Sequence, residues 1–250
     1  MGLILNADDY GKSKEVNRAI RECFQKGCID RTTLMVNMPD AAEAVEDARR
    51  EGFADRIGIH LNLTEGMPLT EEIRSNPLFC DAQGRFHAGF RQNKINRLYM
   101  DKTSLKQVYA ELNAQIRQYA AFDLTLFHID SHHHIHTDFP IYSVLKKLAQ
   151  EYRFSSVRLS RNLYHGGSGA NRLYKAWYNR SVGRICETTT DLFGSFLDLR
   201  HYGPEENNMG LCRDRQVEIM LHPMYDENGT LMDTDTPMEE VSAYIKGLIG

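Results

Sequence analysis

Apolar and polar positions along this chain switch repeatedly between two periods. Leu3-Ile4-Leu5-Asn6-Ala7 is a short apolar run ending in two acids, the pattern of a buried strand. From Lys14 to Lys26 the apolar set Val16, Ala19, Ile20, Cys23 and Phe24 has helical spacing, with Ser13 as a cap and Gly27 as a stop. The exchange then repeats. Strands are predicted over 32–37, 57–63, 124–130, 155–159 and 217–221. Helices are predicted over 41–50, from Thr103 or Ser104 through Tyr119, and over 141–152, 173–182 and 239–248. Such alternation predicts an α/β protein with a mainly parallel sheet and crossover helices. The length of 250 residues suits a single-domain, distorted β/α barrel over 1–250, although an open doubly wound sheet also fits. Thr64 to about Lys102, with Pro68, Asn76-Pro77, Gly84 and Gly89, follows neither period and predicts a lid or insert at about 64–102. The stretch 184–210 yields no assignment.

Composition narrows the function classes. A net charge of −4, with Arg49-Arg50 set among acids, argues against nucleic acid as a partner. No signal peptide or apolar stretch of membrane-spanning length is visible, so the expectation is a cytoplasmic protein that does not engage a membrane. The cysteines at 23, 28, 80, 186 and 212 are scattered, with no Cys-x-x-Cys, and read as free thiols of a reducing compartment. Gly166-Gly167-Ser168-Gly169 lacks the lysine and spacing of a phosphate-binding loop.

The polar residues are more telling in where they fall. Asp8 and Asp9 follow the first strand, and His60 and Asn62 finish the third. Asp130 and His132 follow the strand after the insert; Arg158 and His222 end later strands. In parallel α/β folds the carboxyl ends of the strands share one face, so these sequence-distant groups are predicted to meet at one rim. Singly, each has an ordinary reading. The paired acids could cap a helix, His60 could be a hydrogen-bonded rim histidine, and Arg158 could serve a structural ion pair or clamp an anion.

The run His128-Ile129-Asp130-Ser131-His132-His133-His134-Ile135-His136 holds half of the chain's 10 histidines and points to a metal site. A ligating imidazole needs its other nitrogen held, and a histidine-dense strand end can supply both kinds of partner. Continued extended geometry would carry Asp130, His132, His134 and His136 to one side. Tyr10, beside the acids, is a candidate substrate contact. Trp177, with Tyr174 and Tyr178 at helical spacing, reads as core in preference to a sugar platform.

Four segments together resemble the YdjC-like family of carbohydrate deacetylases: Asn6-Ala7-Asp8-Asp9-Tyr10-Gly11, Gly58-Ile59-His60-Leu61-Asn62-Leu63-Thr64, Asp130-Ser131-His132-His133-His134-Ile135-His136 and Leu221-His222-Pro223. The resemblance implies a β/α barrel, one divalent metal ion, and hydrolysis of the acetamide of an N-acetylated mono- or oligosaccharide with release of acetate. It implies Asp9, His60 and His132 as metal ligands, Asp8 as general base and His222 as general acid. The division between Asp8 and Asp9 follows the wider polysaccharide-deacetylase pattern. Tyr10, Asn62, Asp130, His134, His136 and Arg158 are left as substrate contacts or supports of the ligands. The family implies Mg²⁺, whereas two imidazoles and a carboxylate suit Zn²⁺ or a similar ion better. A homodimer is left open. Two rivals stand beside this reading. One is another metallohydrolase on a similar barrel, a phosphoesterase or cyclic amidohydrolase. The other is a non-catalytic sugar-binding protein with a structural metal.

Overall fold

The computed structural model describes residues 2–163, 168–201 and 215–249. Gly166, Gly167 and Cys212 lie outside them; the four described cysteines are free thiols. Seven strands form the main sheet among the described residues: β1 (Gly2–Tyr10), β2 (Arg31–Leu34), β3 (Ile57–Leu61), β4 (His128–Ser131), β5 (Ser156–Val157), β6 (Leu192–Ser195) and β7 (Gln216–Leu221). Their connections carry α1 (Lys14–Gln25), α2 (Ala41–Glu51), the short α3 (Glu71–Arg74) and α4 (Gly89–Gln92), α5 (Lys102–Ala121), α6 (Phe139–Glu151), α7 (Gly169–Val182) and α8 (Phe196–His201). A small antiparallel sheet of β8 (Pro223–Tyr225), β9 (Leu231–Asp233) and β10 (Thr236–Pro237) precedes α9 (Met238–Ile249). No helix among the described residues is long and apolar enough to cross a membrane.

The main sheet runs in the order β5-β4-β3-β2-β1-β7-β6, and its pairings are parallel. Taken as a circle the order is consecutive, as in a barrel, without the reversal of a doubly wound sheet. Its edges meet just beyond β5. The N–H groups of Asn162 and Leu163 each donate to the Phe193 carbonyl in β6 at 3.1 Å, and Phe193 N–H donates back to Asn162 Oδ1 at 2.8 Å. Gly194 permits this seam, since a Cβ there would lie 2.9 Å from the Leu163 side chain. The fold is the distorted, mainly parallel β/α barrel that the periodicity predicts.

The apolar core lies between strands and helices, where Ile20, Cys23, Val45, Leu112, Ile116 and Leu145 are fully buried. The barrel interior is different. Branched apolar residues usually fill it, but here Asn6, Thr33, His60, His128, Asp130, Arg158 and Glu218 are all buried, and most bond to one another. Gly58 sits at a tight point on this inner side, where a Cβ would meet the His128 carbonyl oxygen at 2.8 Å. Gly58→Ala is therefore expected to cost about 1–3 kcal/mol through overpacking. Urea unfolding checks this, and an unchanged midpoint would show that β3 and β4 can part.

Three stretches differ from the sequence expectation. Residues 124–127 are not a strand; the Tyr119 hydroxyl takes the Leu126 carbonyl at 2.7 Å. β6 lies in the unassigned stretch, a four-residue strand interrupted by Gly194. The histidine run does not stay extended. β4 ends at Ser131, and His133 and His134 adopt left-handed conformations with φ of 54° and 55°, reversing the chain. Segment 64–102 joins the main apolar core, with Phe79 and Phe90 rings 5.2 Å apart. It is tied to α5 by Glu111, which accepts from Leu69 and Thr70 N–H at 3.0 and 2.8 Å.

Candidate active site

The carboxyl ends of the strands open into a cavity of about 680 Å³ lined by Asp8, Asp9, Lys12, His60, Ser131, His132, His133, His134, Met220 and His222, with Ala88, Arg91, Gln92 and Arg161 as its outer wall. Adjacent strand residues normally point to opposite faces, yet Asp8 and Asp9 both reach this space. The cause is a bulge: between the Ala7↔Thr32 and Tyr10↔Leu34 pairs β1 spends one more residue than β2. Asp9 absorbs it at φ 71°, in the left-handed region that aspartate tolerates better than most residues. Beyond the bulge Tyr10 turns outward. It is fully buried, and its hydroxyl donates to the Ala44 carbonyl at 2.6 Å. Tyr10 is thus a packing residue, and the expected substrate contact is corrected.

Asp9 stands between two imidazoles. Its Oδ1 is 3.2 Å from His60 Nε2 and 2.7 Å from His132 Nδ1. Each ring is held from behind by a second carboxylate: His60 Nδ1 by Asp130 at 2.7 Å, His132 Nε2 by Glu65 at 2.9 Å. Each ring therefore has a carboxylate oxygen facing both of its nitrogens. Burial alone would push the His60 imidazole down, but the Asp130 charge and hydrogen bond, the Asp9 hydrogen bond and the Asp8 charge hold it up at about 10. His132 is raised too, by Asp9 and Glu65 against its own burial. Burial would raise the Asp9 carboxyl, yet its bonds to His132 and His60 keep it well below the usual range.

The donor atoms of Asp9, His60 and His132 lie within 4.8 Å of one another. One carboxylate and two imidazoles, each imidazole fixed by a carboxylate on its far nitrogen, fit a divalent ion. Among the described residues two other groupings satisfy the same distance, Asp8 with His60 and Asp130, and His128 with Asp130 and Glu218. Their acids are already bound by Arg158, which makes them poor cation sites.

Asp8 is held differently. Arg158 clasps both its oxygens at 2.6 and 2.7 Å, and Asn6 Nδ2 donates to Oδ1 at 2.8 Å. Burial would raise the Asp8 carboxyl, but Arg158 holds it far below the usual range. Arg158 is itself fully buried, over the Phe193 ring at 4.8 Å. His222 enters from the end of β7, its backbone N–H fixed by Asp233 Oδ1 at 2.7 Å.

The remaining sequence candidates divide. His134 lines the cavity, and its Nδ1 has no hydrogen-bond partner among the described residues. His136 turns inward to Ser131 Oγ at 2.5 Å, so the reversal after Ser131 overturns the expected common side for Asp130, His132, His134 and His136. Asn62 is off the cavity. Its side chain accepts from Thr64 N–H at 2.9 Å and Glu65 N–H at 3.1 Å and donates to the Glu65 carbonyl at 2.6 Å, shaping the turn that presents Glu65. Trp177 is half-exposed against Phe139, while Tyr178 is buried.

Glu65 and Lys12 escaped sequence reasoning. Lys12 Nζ lies 2.9 Å from Glu65 and 3.6 Å from Asp9. The available signal was position: Glu65 stands just past the His60-Leu61-Asn62 motif. Glu65→Gln is expected to weaken divalent-ion binding about 10–100-fold through the loosened His132 ring. Titration calorimetry checks this, and unchanged affinity would leave Glu65 only a salt-bridge partner of Lys12.

A β/α barrel with an Asp–His–His cluster at the carboxyl rim of its strands defines the class of protein. The chain belongs to the YdjC-like family, whose model matches residues 2–245. A protein of Oceanobacillus iheyensis named carbohydrate deacetylase is 40% identical over 250 residues, 98% of this chain and 91% of the relative. One of the same name from Brevibacillus brevis is 39% identical over 153 residues, 61% of this chain and 57% of that relative's length. The crystal structure of an Enterococcus faecalis protein named for cellobiose-phosphate cleavage is similar at a TM-score of 0.70 and 25% identity, covering 99% of this chain and 94% of the other.

Proposed function

We propose that this protein is a metal-dependent carbohydrate deacetylase that hydrolyses the acetamide of an N-acetylated sugar or short oligosaccharide, giving acetate and an amino sugar. The observation that carries the reading is the Asp9–His60–His132 cluster beside Asp8 and His222 in one cavity. The names of the relatives agree with it.

Asp9, His60 and His132 would hold the ion, Asp130 and Glu65 keeping the two rings turned toward it. When bound, the ion supplies Lewis-acid polarisation of the acetyl carbonyl and acidifies water. Asp8, fixed by Arg158, takes the proton of the attacking water. His222 gives a proton to the sugar nitrogen as the C–N bond breaks. His134, Arg91 and Arg161 face the substrate. The donor set favours Zn²⁺, Fe²⁺, Mn²⁺ or Co²⁺ over Mg²⁺, which prefers oxygen ligands and retained water.

A dinuclear phosphoesterase would need further free acids at this rim, whereas Asp8 and Asp130 are engaged by Arg158. A closed structural metal site fits poorly with ligands that line an open cavity. The test is acetate release from N-acetylglucosamine oligomers before and after chelation. Activity lost to the chelator and restored by a divalent ion is expected; full activity in the metal-stripped protein would refute metal dependence.

A further inference from the structure

Glu218 takes no part in this chemistry, yet it is a fully buried charge in the middle of β7. Arg158 Nε donates to its Oε1 at 2.6 Å, while the guanidinium's other two nitrogens hold Asp8. From the opposite side Arg31 reaches Glu218 Oε2 at 2.9 Å, and Arg31 Nε donates to Asn6 Oδ1 at 2.9 Å. Asn6 Nδ2 then donates to Asp8 Oδ1 at 2.8 Å. The contacts close a ring: Asp8, Arg158, Glu218, Arg31, Asn6 and back to Asp8.

We infer that Glu218 and Arg31 are positioning residues that set the orientation of the Asp8 carboxylate through this ring; the inference rests on reading Asp8 as the base. An arginine gripped only at its fork can still pivot about its Cδ–Nε bond and carry the gripped carboxylate with it. Glu218 on Nε, together with Asp130 on Nη1 at 2.8 Å, removes that freedom, and Arg31 in turn fixes Glu218. Asn6 holds Asp8 directly from its own strand, so the carboxylate is fixed from two directions. Arg158 thus joins Asp8, Asp130 and Glu218, and Arg31 backs Glu218 from its far side. A barrel interior needs none of this for stability, because apolar residues of similar volume commonly stabilise as well or better than buried ion pairs. A closed ring that ends on the reacting carboxylate is what orientation requires.

The test uses Glu218→Gln, which keeps shape but removes charge, and Arg31→Met, at a position whose side chain is 12% exposed and so more tolerant of change. Both should take up the divalent ion as the wild type does, because neither residue touches the ligand cluster. With N-acetylglucosamine oligomers, kcat should fall about 10–100-fold while KM moves less than about 3-fold, as for a misaligned catalytic group. By NMR, the Arg158 Nε–H, assigned by its loss in Arg158→Lys, should exchange slowly in the wild type and fast in Arg31→Met; in Glu218→Gln the amide oxygen can still accept from it, so kcat is the reading there. Folded variants with wild-type kcat would overturn the inference, as would a rapidly exchanging Arg158 Nε–H in the wild type. If Glu218→Gln does not fold, Arg31→Met decides by the same readings. A wild type that releases no acetate would instead remove the deacetylase reading. The exchange measurement then judges the ring alone: protection lost in Arg31→Met upholds it, and no protection overturns it.

Discussion

Replacing His132 by alanine is expected to leave a folded protein that no longer takes up a divalent ion and releases no measurable acetate. The imidazole comes from the turn after β4, and its Nδ1 meets Asp9 at 2.7 Å where His60 also converges. Removing it leaves two donors, too few to hold an ion against water. The lost Lewis acid is worth several kcal/mol at the transition state, so the rate should drop by at least about 10³-fold, each 1.36 kcal/mol being a factor of ten. Folding should survive, because His132 sits at the mouth, where Asp9 can pair with Lys12 instead. A second reading needs no substrate. An ion that binds only the folded state raises stability by about 2.7 kcal/mol at a hundredfold excess over Kd. The wild type should therefore melt higher with added ion and His132→Ala should not. A mutant that still melts higher with the ion, and still turns over, would dismiss the assigned ligand set.

How much of this could be read from the chain follows from what each level of structure depends on. Barrel class was legible because the amphipathic periods of α1, α2, α5 and α6 are strong, and each strand is a short apolar run between turn residues. The meeting of Asp8, Asp9, His60, His132 and His222 was legible as well, since parallel topology sends every strand's end to one face. What escaped depended on local backbone geometry or on parity. Tyr10 looked like a neighbour of the acids, but the bulge at Asp9 reverses which side it takes. His134 and His136 looked extended, but two left-handed residues fold that run back. Glu218 and Arg31 went unremarked because a charge in a short strand passes as an edge feature until the partners across the barrel are known, and His128 counted only as one member of the histidine run. His128 shows the gain. Arg31 can only donate to its Nε2 at 3.1 Å, so that ring is the Nδ1–H tautomer, bonding Ser156. It is neutral: burial, helped by the neighbouring Arg31, holds its pKa well below the usual value.

Asp8→Asn separates base from ligand more sharply than any other change. The variant should bind the ion with wild-type affinity, since Asp9, His60 and His132 are intact, and should lose about 10²–10⁴-fold in kcat, the usual worth of a positioned general base. It should also be less stable. The asparagine oxygen can still accept from one Arg158 nitrogen, but its amide group would face the other, donor against donor, where Asp8 now accepts at 2.6 and 2.7 Å. Arg158 would keep Asp130 and Glu218 while the cluster gains an unbalanced positive charge. For groups this buried the loss of one partner costs about 3–5 kcal/mol, which would appear as a lower denaturation midpoint. The combination matters more than any one value. Loss of ion binding in Asp8→Asn, with retention in Asp9→Asn, would exchange the roles of the two acids. Asp9→Asn keeps a residue that tolerates the left-handed bulge, so it removes the charge without forcing the backbone to move. With the roles as assigned here, Asp9→Asn should lose the ion and Asp8→Asn should keep it, because only Asp9 touches both imidazoles.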